Sequence, residues 1–424
     1  MNHSCADGKV IYRKARDVST GEGIAQGWTI IEDCEKNDEE ALITASTIAR
    51  ITAASAAKRP FFIGLGHHRP HMPWQAPRRF FDALPSIETT AVAAHPELPL
   101  GAVTLNWKPW VGHTGSSPGE QTFAHTQLPR RFQQAMRRGY YASIGYMDYH
   151  FGLVLEALEA SGQAPNTAVI SFGDHGWSLG EHNSYEKKTL WENDCRVPLL
   201  IRAPFLPGGG RAGERTHTIV EIVAVMPTLI ELAGLPPCQE NLGGQSFASE
   251  IVAAGSLSSA AARYAFSTFP RCNCTYETDV IDVRNGTCPL GPYHGMTGGV
   301  GASNMHVCLE TSALAFDWMG LSIRSDRWRY TLWMEWDGAA LAPRWDRVVG
   351  EELYDHAEDD GLGGARIFDA FENLNLASRV ANPHPTAVQL SAIKTLRMAL
   401  QANEASDGAP VLDGIAAVTS ATGR

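Results

Sequence analysis

Apolar residues recur at helical spacing from Asn37 to Lys58, with Asp38, Glu39 and Glu40 in the first turn. That end of a helix dipole favours anions, so the pattern predicts a helix that stops at Arg59-Pro60. PFFIGLG (60–66) follows and is almost wholly apolar. It predicts a short buried parallel strand, with HHRPHMPW (67–74) as the loop at its C-terminal end. Residues 75–128 are rich in Pro, Trp and Gly and read as a long loop region. From 130 to 161 a long helical pattern places Met136, Tyr140, Ile144, Met147, Phe151 and Leu155 on one face, and Ser161-Gly162 stops it. TAVISFG (167–173) reads as another buried strand and runs straight into DHGWSLGEH (174–182). VPLLIR (197–202) is a third strand, and residues 219–237 form an amphipathic helix ended by Gly234 and Pro236.

The alternation of helices and short apolar strands is that of an α/β domain with a mainly parallel sheet sandwiched by helices. Polar loops at the C-terminal ends of such strands are where ligands bind. Past residue 240 the character changes. RYAFSTF (263–269) reads as a strand, residues 321–336 as a strand pair turning near Ser325-Asp326, and EELYDH (351–356) as a short strand. Residues 385–404 form an amphipathic helix, and the tail from Ala405 reads as disordered. Strands closed by one terminal helix predict a smaller C-terminal α+β subdomain of antiparallel sheet plus helix. The division is placed at 1–305 for the α/β core and 306–424 for the subdomain.

Composition narrows the function only slightly. The 424 residues are 44% hydrophobic, with a formal net charge of −11. A mildly acidic chain is a poor prior for nucleic-acid binding. No apolar run is long enough to span a membrane. The N-terminus, MNHSCADGKVIYRKARD, has no apolar core of a signal peptide. Four of the eight cysteines, Cys272, Cys274, Cys288 and Cys308, crowd one Gly-rich region. They read as a disulfide-pinned loop in a secreted protein or spare thiols in a cytosolic one; zinc lacks a second matching pair. Sequons at Asn2, Asn273 and Asn285 lean toward secretion.

Two loops carry candidate chemistry. G-H-H-R-P-H-M-P-W (66–74) has three histidines within five residues, pinned by two prolines. Histidine donates, accepts or binds metal near neutral pH. The plainer alternative is packed or solvated histidines, which suits His67 and His68 better than His71. In G-D-H-G-W-S-L-G-E-H (173–182), Asp174 and His175 at a strand end suit an oxygen-and-nitrogen metal site, and Gly176 permits close backbone approach. An Asp capping a helix is the alternative. Lys187 could grip an anion as a point charge, although a Lys187-Lys188 pair is commonly just solvated surface.

H-x-P-H-x-P-like spacing after a strand, then D-H-G-W-x-L-G-E-H with a Lys thirteen residues past the Asp, resembles the sulfatase family, nearest its iduronate-2-sulfatase branch. RRGYYASIGYMDYHFGLVLEALE (137–159), MPTLIELAGLPP (226–237), FSTFPR (266–271), MGLSIRSDRWRYTLW (319–333) and GEELYDHAED (350–359) also resemble family segments, in the family's order. The resemblance implies an alkaline-phosphatase-like fold and hydrolysis of sulfate esters of a sulfated saccharide, with bound calcium and a formylglycine nucleophile made from the Cys of C-x-P-S-R. It implies that Asp174 and His175 bind calcium. It makes His71 the group that contacts the sulfate ester and helps protonate the leaving oxygen. Lys187 would hold a sulfate oxygen as charge builds. Arg324 would meet a substrate carboxylate or make a structural pair. It also implies a secreted or lysosomal-type compartment.

The chain contains no C-x-P-S-R, no preceding Asp pair and no K-x-x-H segment. No nucleophile can therefore be named, and half of the calcium shell is unaccounted for. Three readings compete. The first is an incomplete sulfatase sequence, inactive as it stands. The second is a non-catalytic relative that binds sulfated glycan or a partner. The third is a phosphatase or phosphodiesterase of the wider superfamily that shares D-H-G. The last needs a Ser or Thr nucleophile and more zinc-type histidines, and the Lys187 spacing argues against it.

Overall fold

The computed structural model describes residues 12–14, 28–31, 38–108, 127–210, 212–238, 242–252, 264–271, 312–359 and 370–406. The cysteine cluster at 272–308, the three sequons and the proposed division at 305/306 lie outside them.

In chain order, the first elements are β1 (Tyr12–Lys14), β2 (Trp28–Ile31), α1 (Glu39–Ala56), β3 (Trp74–Pro77), α2 (Arg78–Asp82) and α3 (Arg130–Ala160). Then come β4 (Val169–Phe172), β5 (Ser178–Leu179), β6 (Tyr185–Glu186), α4 (Glu192–Cys195), β7 (Leu199–Arg202), α5 (Val225–Leu232) and α6 (Ala248–Val252). The chain continues through β8 (Ala265–Arg271), β9 (Trp318–Arg324), β10 (Trp328–Asp337), β11 (Ala342–Asp355) and α7 (Ala387–Ser406).

Helix α1 begins where the acidic first turn predicts. The Asp38 side chain accepts from the Ala41 N–H at 3.0 Å, satisfying one of the unpaired donors at the helix start. Helix α3 matches its predicted span, but its buried stripe is rotated from the expected one. Gly139, Ala142, Ser143, Tyr146, His150 and Val154 face inward, while Ile144, Met147, Phe151 and Leu155 are only half-buried. Small residues on that stripe let the backbone of α3 approach α1 and β3 closely.

Two expectations need correction here. PFFIGLG (60–66) is extended but joins no strand ladder among the described residues. Phe61, Ile63 and Leu65 pack beside Ile51, Val154 and Leu158, whereas Phe62 on the other face is 76% exposed. The segment is buried on one face rather than two. The helix predicted over 219–237 is also shorter: a 3₁₀ turn at Ile222–Ala224 precedes the eight residues of α5. In the core, β4 pairs with β7 antiparallel, and β2 pairs with β3 parallel.

The C-terminal region is one antiparallel sheet ordered β11-β10-β9-β8. Strands β9 and β10 turn at Ser325 as the sequence predicts, but β11 runs fourteen residues rather than six. On one face Leu321, Ile323, Tyr330, Leu332, Met334 and Leu353 pack with Leu396 and Leu400 of α7. On the other, Trp318 and Trp333 pack against Val103, Leu105 and Leu190 from the loops of the α/β region. Gly320 belongs at this contact, because a Cβ there would lie 2.6 Å from Leu190 Cδ1 and 2.7 Å from Trp333 Cη2.

A buried ionic cluster fastens the two regions together. Glu192 of α4 accepts from Arg329 of β10, from Arg324 Nε of β9 at 3.2 Å and from Arg196 at 3.2 Å. Arg329 also meets Glu372 at 2.9 Å. His356, fully buried, lies between Asp359 at 3.1 Å and Glu372 at 3.2 Å. Burial opposes charge on Glu192, but Arg329, Arg324 and His356 outweigh it and hold its carboxyl well below the usual range. Burial likewise opposes charge on His356. The hydrogen bonds to Asp359 and Glu372 win, and its pKa is raised above 6.5.

The raised value fixes a sign. A His356 charge favoured in the folded state stabilises fully below pH 6.5, and the gain is lost as pH rises through the folded pKa. Urea unfolding of the native chain and of His356→Gln is expected to differ most near pH 5.5, roughly one unit below the ordinary histidine pKa. The gap should shrink as the pH rises above neutrality. A gap that widens with pH would refute the assignment.

Candidate functional site

The first turn of α1 anchors the histidine loop. Buried Glu40 accepts from the backbone N–H of His68 at 3.1 Å and of Arg69 at 2.9 Å, and it meets His67 Nδ1 at 2.5 Å. Arg69 pairs with Asp38 at 3.1 Å and with Glu40 at 3.3 Å, and its Nε donates to the Gln75 carbonyl at 2.6 Å. Trp74 closes the turn by donating from Nε1 to the Pro70 carbonyl at 2.9 Å. His67 and His68 are thus engaged by Glu40 and Glu39. His71 remains for other chemistry. Its Nδ1 lies 2.6 Å from the Met72 carbonyl. With the proton on Nδ1, Nε2 is left as the lone-pair nitrogen. Burial lowers its pKa below 6.5, and the charges of Lys187, His68 and His175 lower it further.

The second loop is shaped from within. Asp194 is buried and accepts from Ser178 Oγ at 2.8 Å, Thr189 N–H at 2.9 Å and Thr189 Oγ1 at 2.8 Å. Its own carbonyl accepts from the Gly176 N–H at 2.8 Å. One residue therefore ties both ends of the 176–189 loop. Burial pushes its carboxyl up to about 6 against those hydrogen bonds. Gly176 has the close approach expected of it, since a Cβ would sit 1.9 Å from the Asn193 carbonyl oxygen. Arg137 of α3 holds Glu181, which in turn accepts from the Leu179 N–H at 2.7 Å.

These anchors bring four predicted residues to one place. Trp177 is the hub. Its ring lies 6.1 Å from His71 and 6.2 Å from His175, and the Lys187 ammonium sits 5.0 Å from its centroid. Asp174 is exposed at the end of β4, 3.5 Å from His175 Nε2. Burial lowers the Lys187 pKa, while Glu186, Asp174 and Asp194 oppose that shift. Behind the hub Tyr140 stacks on Trp177 at 6.2 Å. Burial raises the Tyr140 phenol to about 12, with nearby negative charges including Asp174 adding to it. Arg324 is not part of this group. It is buried in the ionic cluster at the C-terminal sheet, with Glu192 and Asp359 at 3.2 Å and 3.4 Å.

The metal chemistry of the group is partial. Asp174 and His175 offer one carboxylate and one imidazole. Calcium takes about six to eight oxygen ligands, so the described residues do not by themselves form a calcium cage. Elsewhere, Glu192, His356 and Asp359 place ligand atoms within 4.8 Å of one another. Both Glu192 oxygens already accept from guanidinium groups there, so that cluster reads as an ion-pair network.

Sequence reasoning missed Trp177, Tyr140, Asp194 and Glu40 as parts of the site. Trp177 lies inside the motif, so its position was available. The other three act through long-range contacts that carry no local signal.

Comparison with known proteins agrees with the motifs. The sulfatase family profile matches residues 13–235, just over half of the chain. Iduronate 2-sulfatase of Mus musculus is 31% identical over 217 residues, covering 46% of this chain and 39% of that protein. The chain thus spans about two-fifths of the length of the curated relatives it matches. Among solved structures, phosphonate monoester hydrolase from Silicibacter pomeroyi superposes with a TM-score of 0.57 at 19% identity, covering 94% of this chain and 64% of that one. A protein solved with its substrate D-glucosamine-2-N,6-O-disulfate gives a TM-score of 0.57 at 15% identity, covering 87% and 71%. These likenesses carry the alkaline-phosphatase-like α/β fold with its C-terminal antiparallel sheet. With more than half its length matched by the family profile and its D-H-G-W loop folded against the histidine loop, the chain belongs to the sulfatase family.

Proposed function

We propose that this chain recognises the sulfate ester of a sulfated saccharide, in the manner of an iduronate-2-sulfatase-like sulfuric ester hydrolase. The observation that carries the reading is the convergence of His71, His175 and Lys187 around Trp177, with Asp174 at the same edge. A lysine and histidines beside a strand end suit a tetrahedral oxyanion such as a sulfate ester better than an uncharged ligand. The iduronate 2-sulfatase likeness points to a 2-O-sulfated uronate, and the disulfated glucosamine of the solved relative supports a sulfated sugar.

Each residue has a part. Lys187 faces a sulfate oxygen, where it would stabilise the charge that grows once a nucleophile attacks sulfur and the S–O bond breaks. His71, with Nδ1–H held by Met72, presents Nε2 to the ester oxygen and, protonated, would give its proton to the leaving alkoxide of that attack. Asp174 and His175 would offer one carboxylate and one imidazole to a calcium ion, which, completed by further oxygen ligands, would polarise the sulfate. Arg324 is a structural pair for Glu192 rather than a substrate contact. Because the sequence holds no C-x-P-S-R, nucleophilic attack is not assigned to any of its residues. The compartment proposed is a secreted or lysosomal type; no helix among the described residues is long and apolar enough to cross a membrane.

Calorimetric titration with a 2-O-sulfated uronate disaccharide tests the reading. The full chain should retain it in preference to the desulfated sugar, and without releasing sulfate. Lys187→Gln should weaken binding about tenfold or more, the loss of one charge-assisted contact. Equal affinity for both sugars would sink the proposal.

The pH dependence has a definite sign. His71 is neutral at pH 7 because its pKa lies below 6.5. Protonation adds positive charge beside an anion, so affinity should rise as pH falls below 6.5, and rise less in His71→Gln. Gly176→Ala should abolish binding, since the new methyl collides with the Asn193 carbonyl and forces the loop open. Circular dichroism should show the remaining fold intact.

A further inference from the structure

Lys187 raises a positional problem. Its ammonium ends a flexible four-carbon stem, and holding it in one place costs rotamer freedom. Most buried cations are fixed by a carboxylate. Lys187 has none at ion-pair distance among the described residues. The group against its ammonium is the Trp177 ring, at 5.0 Å. A cation over an indole face is attracted by the ring quadrupole, more so where water is excluded.

Trp177 is itself held by rings. Its Nε1 is buried and has no acceptor among the described residues. Tyr140 stacks on it at 23°, and fully buried Trp74 meets it edge-on at 6.3 Å. Trp74 and Tyr140 also meet each other at 5.9 Å. Three interlocked rings make a rigid backing, and the outer one touches both His71 and His175.

We propose, resting on the reading of Lys187 as the sulfate-facing cation, that Trp177 is a positioning residue: its indole face fixes the Lys187 ammonium while its ring contacts set the His71 and His175 rings around the same anion. The indole does for Lys187 what an acidic partner would do, without a carboxylate at ion-pair distance from the ammonium that faces the sulfate. A carboxylate at ion-pair distance would hold the lysine and repel the ligand. An aromatic face holds it and leaves the positive charge available.

The test uses the full chain carrying isotope-labelled lysine, with Lys187→Gln to identify the Lys187 signal. A proton over an indole face is shifted upfield by the ring current. Trp177→Leu is expected to remove that shift and to weaken inorganic sulfate binding about tenfold, the upper part of the cation–π range. Trp177→Phe, which keeps a π face, should retain the shift and most of the affinity. Trp177→Met is a second non-aromatic variant should the leucine variant fold poorly. Thermal unfolding of each variant separates loss of fold from loss of position. An unchanged Lys187 signal in the non-aromatic variants, or equal behaviour of Leu and Phe, overturns the proposal. A Lys187 signal that responds to Trp177 in a chain that binds no sulfate supports the positioning role and instead defeats the sulfate reading.

Discussion

Glu192 is the residue on which the rest of the structure depends. It starts α4, immediately after the loop that carries Lys187, and its two oxygens hold Arg196, just past α4, and arginines from β9 and β10. Removing one partner of such a cluster leaves a buried charge uncompensated, at a cost of about 3–5 kcal/mol. The arginines have further acceptors in Asp359 and Glu372, so the cluster is a network rather than a pair. Its effect is geometric. It fixes the far end of the D-H-G-W loop to a rigid antiparallel sheet, and the loop cannot drift without breaking it.

Glu352 reinforces the same junction in a different way. It is buried on β11 and accepts from the Val103 N–H at 3.1 Å and Asn106 Nδ2 at 2.8 Å. Asn106 then accepts from the Leu190 N–H at 2.6 Å. Burial pushes the Glu352 carboxyl up to about 7. Arg271 adds a third tie, donating to the Leu105 and Lys188 carbonyls at 2.7 Å each. The C-terminal sheet is therefore a wall against which the loops of the candidate site are set. That is why a region without catalytic candidates of its own matters to the site.

The site is made in the same manner. Every side chain proposed to meet the ligand is placed by a neighbour that does not. Glu40 holds the histidine loop, Asp194 closes the second loop, and Trp177 stands between them. Their burial shields these contacts from water and strengthens them. The exposed Asp174 and the partly exposed His71 are left at the edge, where a ligand can reach them.

Much of this was legible in the chain itself. The 3.6-residue periodicity of α1 and α3, the apolar runs of β4 and β7, and the turn at Ser325 all depend on contacts within a few residues, and these came out close to their predicted places. The D-H-G-W-x-L-G-E-H loop and the Lys thirteen residues on were readable for the same reason: their chemistry and spacing are local. What only the tertiary structure decided was pairing and burial. PFFIGLG has the composition of a two-face strand, yet a ladder needs a hydrogen-bonded partner, and it pairs with no described strand. The stripe buried on α3 was set by how closely α1 and β3 could approach, not by the most apolar positions. Arg324 was open to ligand or to structure from the sequence, and the structure buries it with Glu192, 132 residues away in the chain. Local sequence states which groups are present. Which of them face each other is set by packing across the whole chain, because burial and charge pairing are properties of neighbours in space.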